Sequence, residues 1–485
     1  MNEEDEEYFR SPEFRELLGR YEHAVARREP VYMEADELTD IAEYYMAMER
    51  GQDADRVIAL AQALHPGSVD PQVFLARRQL FAGNTGEAWR ISRAIPDQED
   101  REVKFLNAEI LIKEGRCREA TVYLLHEWRG LDDERDLFLY DSAGVFMDYN
   151  MWEYALMWVG RLERLYPQFP KTRRMKAELL VCLGRYEEAM PMLESILDDD
   201  PYSKDVWNML AESQGATEQY AEALNSAEFV LAIEKDNLRA MVTKATCLFH
   251  MNQQQEAHSI YQACLRRDPD DNNVLYLDAV CLAALERYGE ALALVVRALS
   301  AFGTDLSQAV YLLVEKAYLQ SKMHHADEAL ETISLAEKAR GEGVDGSEYC
   351  MLRGQIQLEN GREDGALRSF GDALRASSAK RDTLMAIGMA YGDAEYYADA
   401  IQVMLTVMRH FPDSGEGMSP IPYLAYYYYR AHDLESSLQY LRQAAETDRQ
   451  STERLFGSIY PGVTPDEYYD YAFRDVYGHF PGDGK

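Results

Sequence analysis

Apolar residues stand three and four positions apart through most of the chain, the spacing of a helix with one buried face. The pattern repeats at long range. "GRYEEAMPMLESILDDDP" at 184 to 201 is echoed by "EQYAEALNSAEFVLAIEKD" at 218 to 236. "ERYGEALALVVRAL" at 286 to 299 and "YYADAIQVMLTVMRHFP" at 396 to 412 repeat it again. The small residue inside each such segment serves as a marker. These markers are Ala54, Ala88, Ala120, Ala155, Ala189, Ala223, Ala257, Ala291, Ala329, Ala366, Ala400 and Ser437. Six of the eleven spacings are 34 residues and the rest run from 32 to 38. A period of about 34 is that of a helix–turn–helix repeat.

Positions not used to set the register test it. Twelve residues before the markers stand Ala42, Ala76, Ala108, Ala143, Ala177, Ala211, Ala245, Ala279, Ala317, Gly354, Gly388 and Ala425. All are Ala or Gly, as a close crossing of two helices requires. Pro66, Pro167, Pro201, Pro269 and Pro412 follow their markers by twelve residues and are expected to end the second helix. Gly83, Gly115, Gly184 and Gly361 precede theirs by five and are expected to supply the left-handed turn after the first helix.

Beyond the repeats, "SPEFRELLGRYEHAVARRE" predicts a helix capped by Ser11 and opened by Pro12. "TPDEYYDYAFRDVYGHFP" predicts another, capped by Thr464 and opened by Pro465, with Tyr469, Ala472, Phe473 and Val476 on one face. Both are expected to cover the ends of the array, while a contact of the tyrosine-rich tail with a partner or with the groove remains open. The expected division is an acidic N-terminus and capping helix at 1–37, the repeat array at 38–449 and a C-terminal capping segment at 450–485.

These residues resemble the tetratricopeptide repeat family, in particular its multi-repeat bacterial members. The unit around Ala223 carries Trp207, Leu210, Ala211, Tyr220 and Ala223 of the family pattern; that around Ala366 carries Gly354, Gly361, Phe370 and Ala373. The long spacings between Ala291 and Ala366, and Ser437 at the last marker, depart from it. The resemblance implies an all-α, right-handed α-solenoid of about twelve helix pairs. Its first helices would line a concave groove that takes a peptide or protein. A family subtype holds acidic C-terminal peptides with a Lys/Asn/Lys/Arg clamp. Here Arg174 is followed by Glu178 and Asn208 by Glu212, so that clamp is not formed.

Composition narrows the partners. With 485 residues the chain is long enough for two to four ordinary domains or one elongated array. The net charge is −35, from 85 acidic and 50 basic residues, which disfavours a phosphate backbone as ligand. A basic or amphipathic protein segment suits it better. No apolar run is long enough to span a bilayer, and "MNEEDEEYF" lacks the basic start of a secretory signal. A cytoplasmic location is expected, with no membrane or nucleic acid as partner. Cys117, Cys182, Cys247, Cys264, Cys281 and Cys350 form no C-x-x-C pair and are expected to be reduced and buried.

Candidate chemistry is sparse. "GEGVDG" at 341 to 346 has the letters of a dinucleotide loop, but it follows the helical "DEALETISLAEKAR" rather than a strand. His324 and His325 are adjacent and diverge by about 100° on a helix. "LDDDP" and "DPDDNN" lack the order of a calcium loop and read as turns between repeats. No catalytic residue, metal site or cofactor is expected. Each end is too short for a separate catalytic domain.

Helix geometry then assigns the groove from the small residue of each first helix: one position after it, four after and three before. In the N-terminal half these positions include Glu43, Arg77, Glu109, Arg174, Glu178, Asn208 and Glu212. In the C-terminal half they include Val242, Tyr276, Val314, Tyr318, Met351, Met385, Met389, Tyr426 and Tyr429. The first set is charged and the second apolar and aromatic. In the run Tyr426 to Tyr429, the same rule puts Tyr428 in the core, Tyr426 in the groove, and Tyr427 and Tyr429 on the flanks. The expected function is a non-catalytic scaffold or adaptor. The alternative is a regulatory sensor that takes a small molecule or peptide into the same groove and controls a partner enzyme.

Overall fold

The computed structural model describes residues 8–27, 29–303, 306–340, 346–411 and 418–481. The chain divides into two units, residues 1–235 and 236–485. Among the described residues both units are built from helices and turns without a strand.

The first unit opens with α1 (Pro12–Arg27) and continues as six helix pairs. These are α2 (Ala35–Ala47) with α3 (Gly51–Leu64), α4 (Val69–Phe81) with α5 (Thr85–Ala94), and α6 (Arg101–Lys113) with α7 (Cys117–Gly130). Then come α8 (Arg135–Asp148) with α9 (Trp152–Leu165), α10 (Thr172–Cys182) with α11 (Tyr186–Asp199), and α12 (Lys204–Ala216) with α13 (Tyr220–Ile233). The second unit holds six more. They are α14 (Leu238–His250) with α15 (Gln254–Leu265), α16 (Asn272–Ala284) with α17 (Tyr288–Ser300), and α18 (Val310–Lys322) with α19 (Ala326–Arg340). After them come α20 (Ser347–Glu359) with α21 (Glu363–Ala376), α22 (Lys380–Asp393) with α23 (Tyr397–His410), and α24 (Pro420–Arg430) with α25 (Leu434–Thr447). It ends in α26 (Arg449–Phe456) and α27 (Tyr468–Tyr477).

The pairs coincide with the twelve repeats read from the sequence. Every small residue of a first helix is buried, and so is every marker of a second helix. The reason is contact distance. Where the small residue is glycine, a Cβ at Gly354 would lie under 3.0 Å from the Phe370 ring, and one at Gly388 under 3.0 Å from Met404 Cε. The second helices end at Leu64, Leu165, Asp199 and Leu265, just before Pro66, Pro167, Pro201 and Pro269. Pro412 and residues 341–345 of "GEGVDG" lie outside the described residues. Part of the 38-residue spacing from Ala291 to Ala329 is taken up by a 3-10 turn at Ser307–Ala309.

The turn inside each pair shows a rule wider than the glycines suggested. The residue five before the marker has positive φ in all twelve repeats. Four are Gly83, Gly115, Gly184 and Gly361; the other eight are Glu49, Asn150, Glu218, Asn252, Glu286, His324, Glu395 and His432, with φ from 58° to 66°. A side chain there is held against its Cβ preference. Glu286 is exposed and makes no ion pair among the described residues, so Glu286→Gly is expected to raise stability by about 0.5–1 kcal/mol. A denaturant midpoint that falls instead would show that the turn is not strained there.

At the first end, Ser11 Oγ accepts from the Phe14 N–H at 3.1 Å, and α1 buries Phe14, Leu17 and Tyr21 against Leu38 and Ile41. At the other end, Thr464 and Glu467 form a reciprocal cap, and a 3-10 turn precedes α27. Tyr468, rather than Tyr469, is its most buried ring, packed with Phe456, Leu438 and Leu441. The turn delays the helix by three residues; Ala472 is buried as expected, and Tyr469, Phe473 and Val476 are half-buried.

Candidate partner-binding faces

The first helices of the pairs carry the positions read as a groove. In the first unit two of the charged positions, Arg77 and Glu109, neutralise each other. Arg77 of α4 meets Glu109 of α6 at 2.8 Å and Glu102 at 3.0 Å. The hydroxyl of Tyr149, the residue just after α8, donates to Glu109 at 3.5 Å. Burial opposes the Arg77 charge, but Glu109 and Glu102 outweigh it and keep the guanidinium firmly protonated. Glu109 therefore differs from the expected free acid: it is buried and committed to Arg77. Glu178 stays exposed and Glu212 half-buried. Asn208 is buried, with no described partner for its Oδ1.

In the second unit Val314, Met351 and Met389 are half-buried on their helices, and Tyr318 is exposed. Tyr276 of α16 meets Tyr311 of α18 edge-on, with centroids 5.0 Å apart. Met385 was expected to line the groove but is buried in the core with Tyr423 and Tyr427. The cause is Gly392. A Cβ there would lie under 3.0 Å from the Tyr427 ring, so the bare backbone lets that ring lie directly on α22.

That contact also re-sorts the four tyrosines. Tyr427 is the buried ring, and the expectation for Tyr428 is corrected. Tyr428 is half-buried and stacks on Tyr440 of its own pair, 5.6 Å apart and 5° from parallel. Tyr426 and Tyr429 are half-buried against the cluster of Ala425, Leu438, Leu441 and Phe456, and the Phe456 ring of α26 lies 5.8 and 6.2 Å from them. Arg454 of α26 lies over the Tyr423 ring at 5.8 Å and donates to its hydroxyl. The chain's own return segment thus occupies the face of α24.

Two other features carry chemistry. His258 Nδ1 stands 2.5 Å from Asp278 Oδ1, and Gln262 donates to Asp278 Oδ2 at 2.6 Å. Cys281 lies close by, so the residue types are those of a thiol nucleophile with its base. The arrangement does not serve that chemistry. The Cys281 Sγ–H donates to the Gln254 carbonyl at 3.0 Å, the side chain is fully buried, and burial followed by the Asp278 charge pushes the thiol up to about 11. Sequence spacing alone did not single out this trio, because its members come from two helices. The second feature is a cavity of about 470 Å³ beside α24, α25 and α27, lined by Tyr397, Tyr429, Arg430, His432, Tyr460 and Asp475.

None of the six cysteines is in a disulfide; Cys182, which closes α10 at the surface, is exposed and Cys350 is half-buried, whereas both were expected to be buried. Among the described residues no group of three His, Cys, Asp or Glu side chains could hold a metal ion, and no helix is long and apolar enough to cross a membrane.

Comparison with known proteins agrees with this architecture. Residues 170–213 match the family model described as tetratricopeptide repeat, and residues 216–298 that of anaphase-promoting complex, cyclosome, subunit 3. DnaJ homolog subfamily C member 3 of Bos taurus is 25% identical over 191 residues, 36% of this chain and 38% of that protein. The match thus spans well under half the length of that curated relative. Among solved structures, yeast Tom70 covers 91% of this chain and 96% of its own at 14% identity and a TM-score of 0.42. The human IFIT1 dimer with PPP-AAAA covers 86% and 95% at 14% identity and a TM-score of 0.45. At such identities and scores nothing about function passes from those structures to this chain. The family matches and the twelve helix pairs at a 34-residue period make this chain a tetratricopeptide-repeat protein. Repeats of this type generally mediate protein–protein interaction.

Proposed function

We propose that the chain is a non-catalytic scaffold or adaptor that holds a segment of a partner protein on the first helices of its pairs. One observation carries the reading. Tyr311 and Tyr318 of α18 each keep 42% of their surface exposed, on a face that the last pair fills with an aromatic segment of its own. Exposed tyrosines on a rigid helix make low-entropy contact area for a partner. A basic or amphipathic segment suits the net charge of −35 and the exposed Glu178. The cytoplasm is the proposed compartment, and neither a membrane nor a nucleic acid is the proposed partner.

The test is affinity purification from the native cell with quantitative mass spectrometry, in parallel for the wild type and Tyr318→Glu. One stoichiometric partner should be recovered with the wild type and fall at least tenfold with the variant, while helicity and melting stay unchanged. Equal recovery would remove the face assignment. The alternative, a sensor of a small molecule, has the cavity of about 470 Å³ in its favour. A metabolite that raises the melting temperature of the wild type but not of Tyr460→Ala would support it.

A further inference from the structure

Tyr311, Glu315 and Tyr318 stand at i, i+4 and i+7 of α18 and so share one face. Tyr276 of α16 closes one side, its ring edge-on to Tyr311 at 5.0 Å. Glu315 is half-buried among them, and no described residue forms an ion pair or hydrogen bond with it. Burial alone raises its carboxyl above the usual range. Burial first, and the Glu315 charge after it, hold the Tyr276 phenol up; the same two act on Tyr318, where Lys322 opposes them. Lys322 lies over the Tyr318 ring at 5.3 Å, but its ammonium is committed to Glu359 at 2.9 Å. A partly desolvated carboxylate with no cation is an unfavourable arrangement unless something else supplies the cation.

The last pair shows what this face accepts. Tyr423 and Tyr426 stand two before and one after the small residue Ala425, and α26 covers them with Arg454 and Phe456. Glu315 and Tyr318 hold the same two positions relative to Ala317, and there the face is open. In α24 the arginine rests on a tyrosine ring and donates to its hydroxyl. In α18 a carboxylate stands where that tyrosine would be. A planar guanidinium can lie on a tyrosine face and pair a carboxylate at once, which a compact ammonium does less well.

We propose that Glu315, with the rings of Tyr276, Tyr311 and Tyr318, seats an arginine side chain presented by a segment of a partner protein. This rests on the partner-binding reading above and gives it a chemistry.

The probe is a fluorescein-labelled twelve-residue peptide, apolar and uncharged except for one central arginine, beside the same peptide with citrulline. Citrulline keeps the shape and removes the charge. Fluorescence polarisation should show the arginine peptide binding the full chain at least tenfold more tightly than the citrulline peptide. In Glu315→Gln that preference should vanish, while Glu178→Gln, which removes an exposed acid, should keep it. Both variants take one charge from the same net −35, so general attraction cannot produce the difference. Glu315→Gln should melt at or above the wild-type temperature, because it removes a partly buried charge. Equal binding of the two peptides, a preference that survives Glu315→Gln, or no binding of the arginine peptide at millimolar concentration would each overturn the proposal. If Tyr318→Glu loses the purified partner while Glu315→Gln retains it in full, the scaffold reading stands and the arginine seat falls.

Discussion

Gly354→Ala is expected to destabilise the second unit by about 1–2 kcal/mol, although alanine is ordinarily the better helix former. The added methyl would meet the Phe370 ring well inside contact distance, and that ring is almost fully buried with nowhere to retreat. Overpacking of this kind costs about 1–3 kcal/mol, while the Gly→Ala gain in propensity returns up to about 1. The net sign is decided by the ring. Phe370→Leu should therefore couple to it: the double variant should lose at least about 1 kcal/mol less than the two single losses added together. Chemical denaturation of the four proteins gives the cycle. A neutral Gly354→Ala would mean that α20 and α21 can separate freely.

Arg77→Met is expected to cost about 2–4 kcal/mol in the first unit. The substitution keeps an apolar stem but leaves Glu109 with 9% of its side chain exposed and only the long contact from Tyr149. Glu102, which shared the guanidinium, loses its cation too, though it is more exposed and can rehydrate. The loss is thus mainly the desolvation of one stranded carboxylate rather than the strength of the pair. Arg77→Met combined with Glu109→Gln should recover most of it, because the second change removes the stranded charge. Denaturant unfolding at neutral pH measures both. A double variant no more stable than Arg77→Met would place the loss in the packing of the arginine stem instead.

The repeat architecture could be read from one sequence because it is written twelve times. Each small residue reports the same crossing, and twelve agreeing positions leave little room for chance. The faces were harder. A helical angle says which way a side chain leaves its helix, not what waits there. Met385 and Tyr427 are buried because Gly392 brings α24 onto α22. Tyr426 and Tyr429 are covered because residues after the last pair return across them. Glu109 is consumed by an arginine of the neighbouring pair. All of these depend on contacts between elements, which no single period encodes. Some signals were present nonetheless. Glycine replaces alanine at the crossing where the residue sixteen later is Phe370 or Met404. In nine of the ten alanine repeats that residue is Leu or smaller, Tyr261 being the exception. Tyr311 and Glu315 could have been added to Tyr318 from their spacing alone.

The left-handed residue in each turn has a bearing on how such a chain can change over time. It belongs neither to the buried crossing nor to the face of the first helices. A substitution there alters the cost of one turn and leaves both surfaces as they were. Eight of the twelve positions hold side chains that glycine would relieve. Durability and recognition are therefore written at separate addresses along the chain. Drift at most of the turns can lengthen or shorten the life of an individual repeat without altering what its face is able to grip; His432 and Glu395, which line the cavity beside the last pair, are the exceptions.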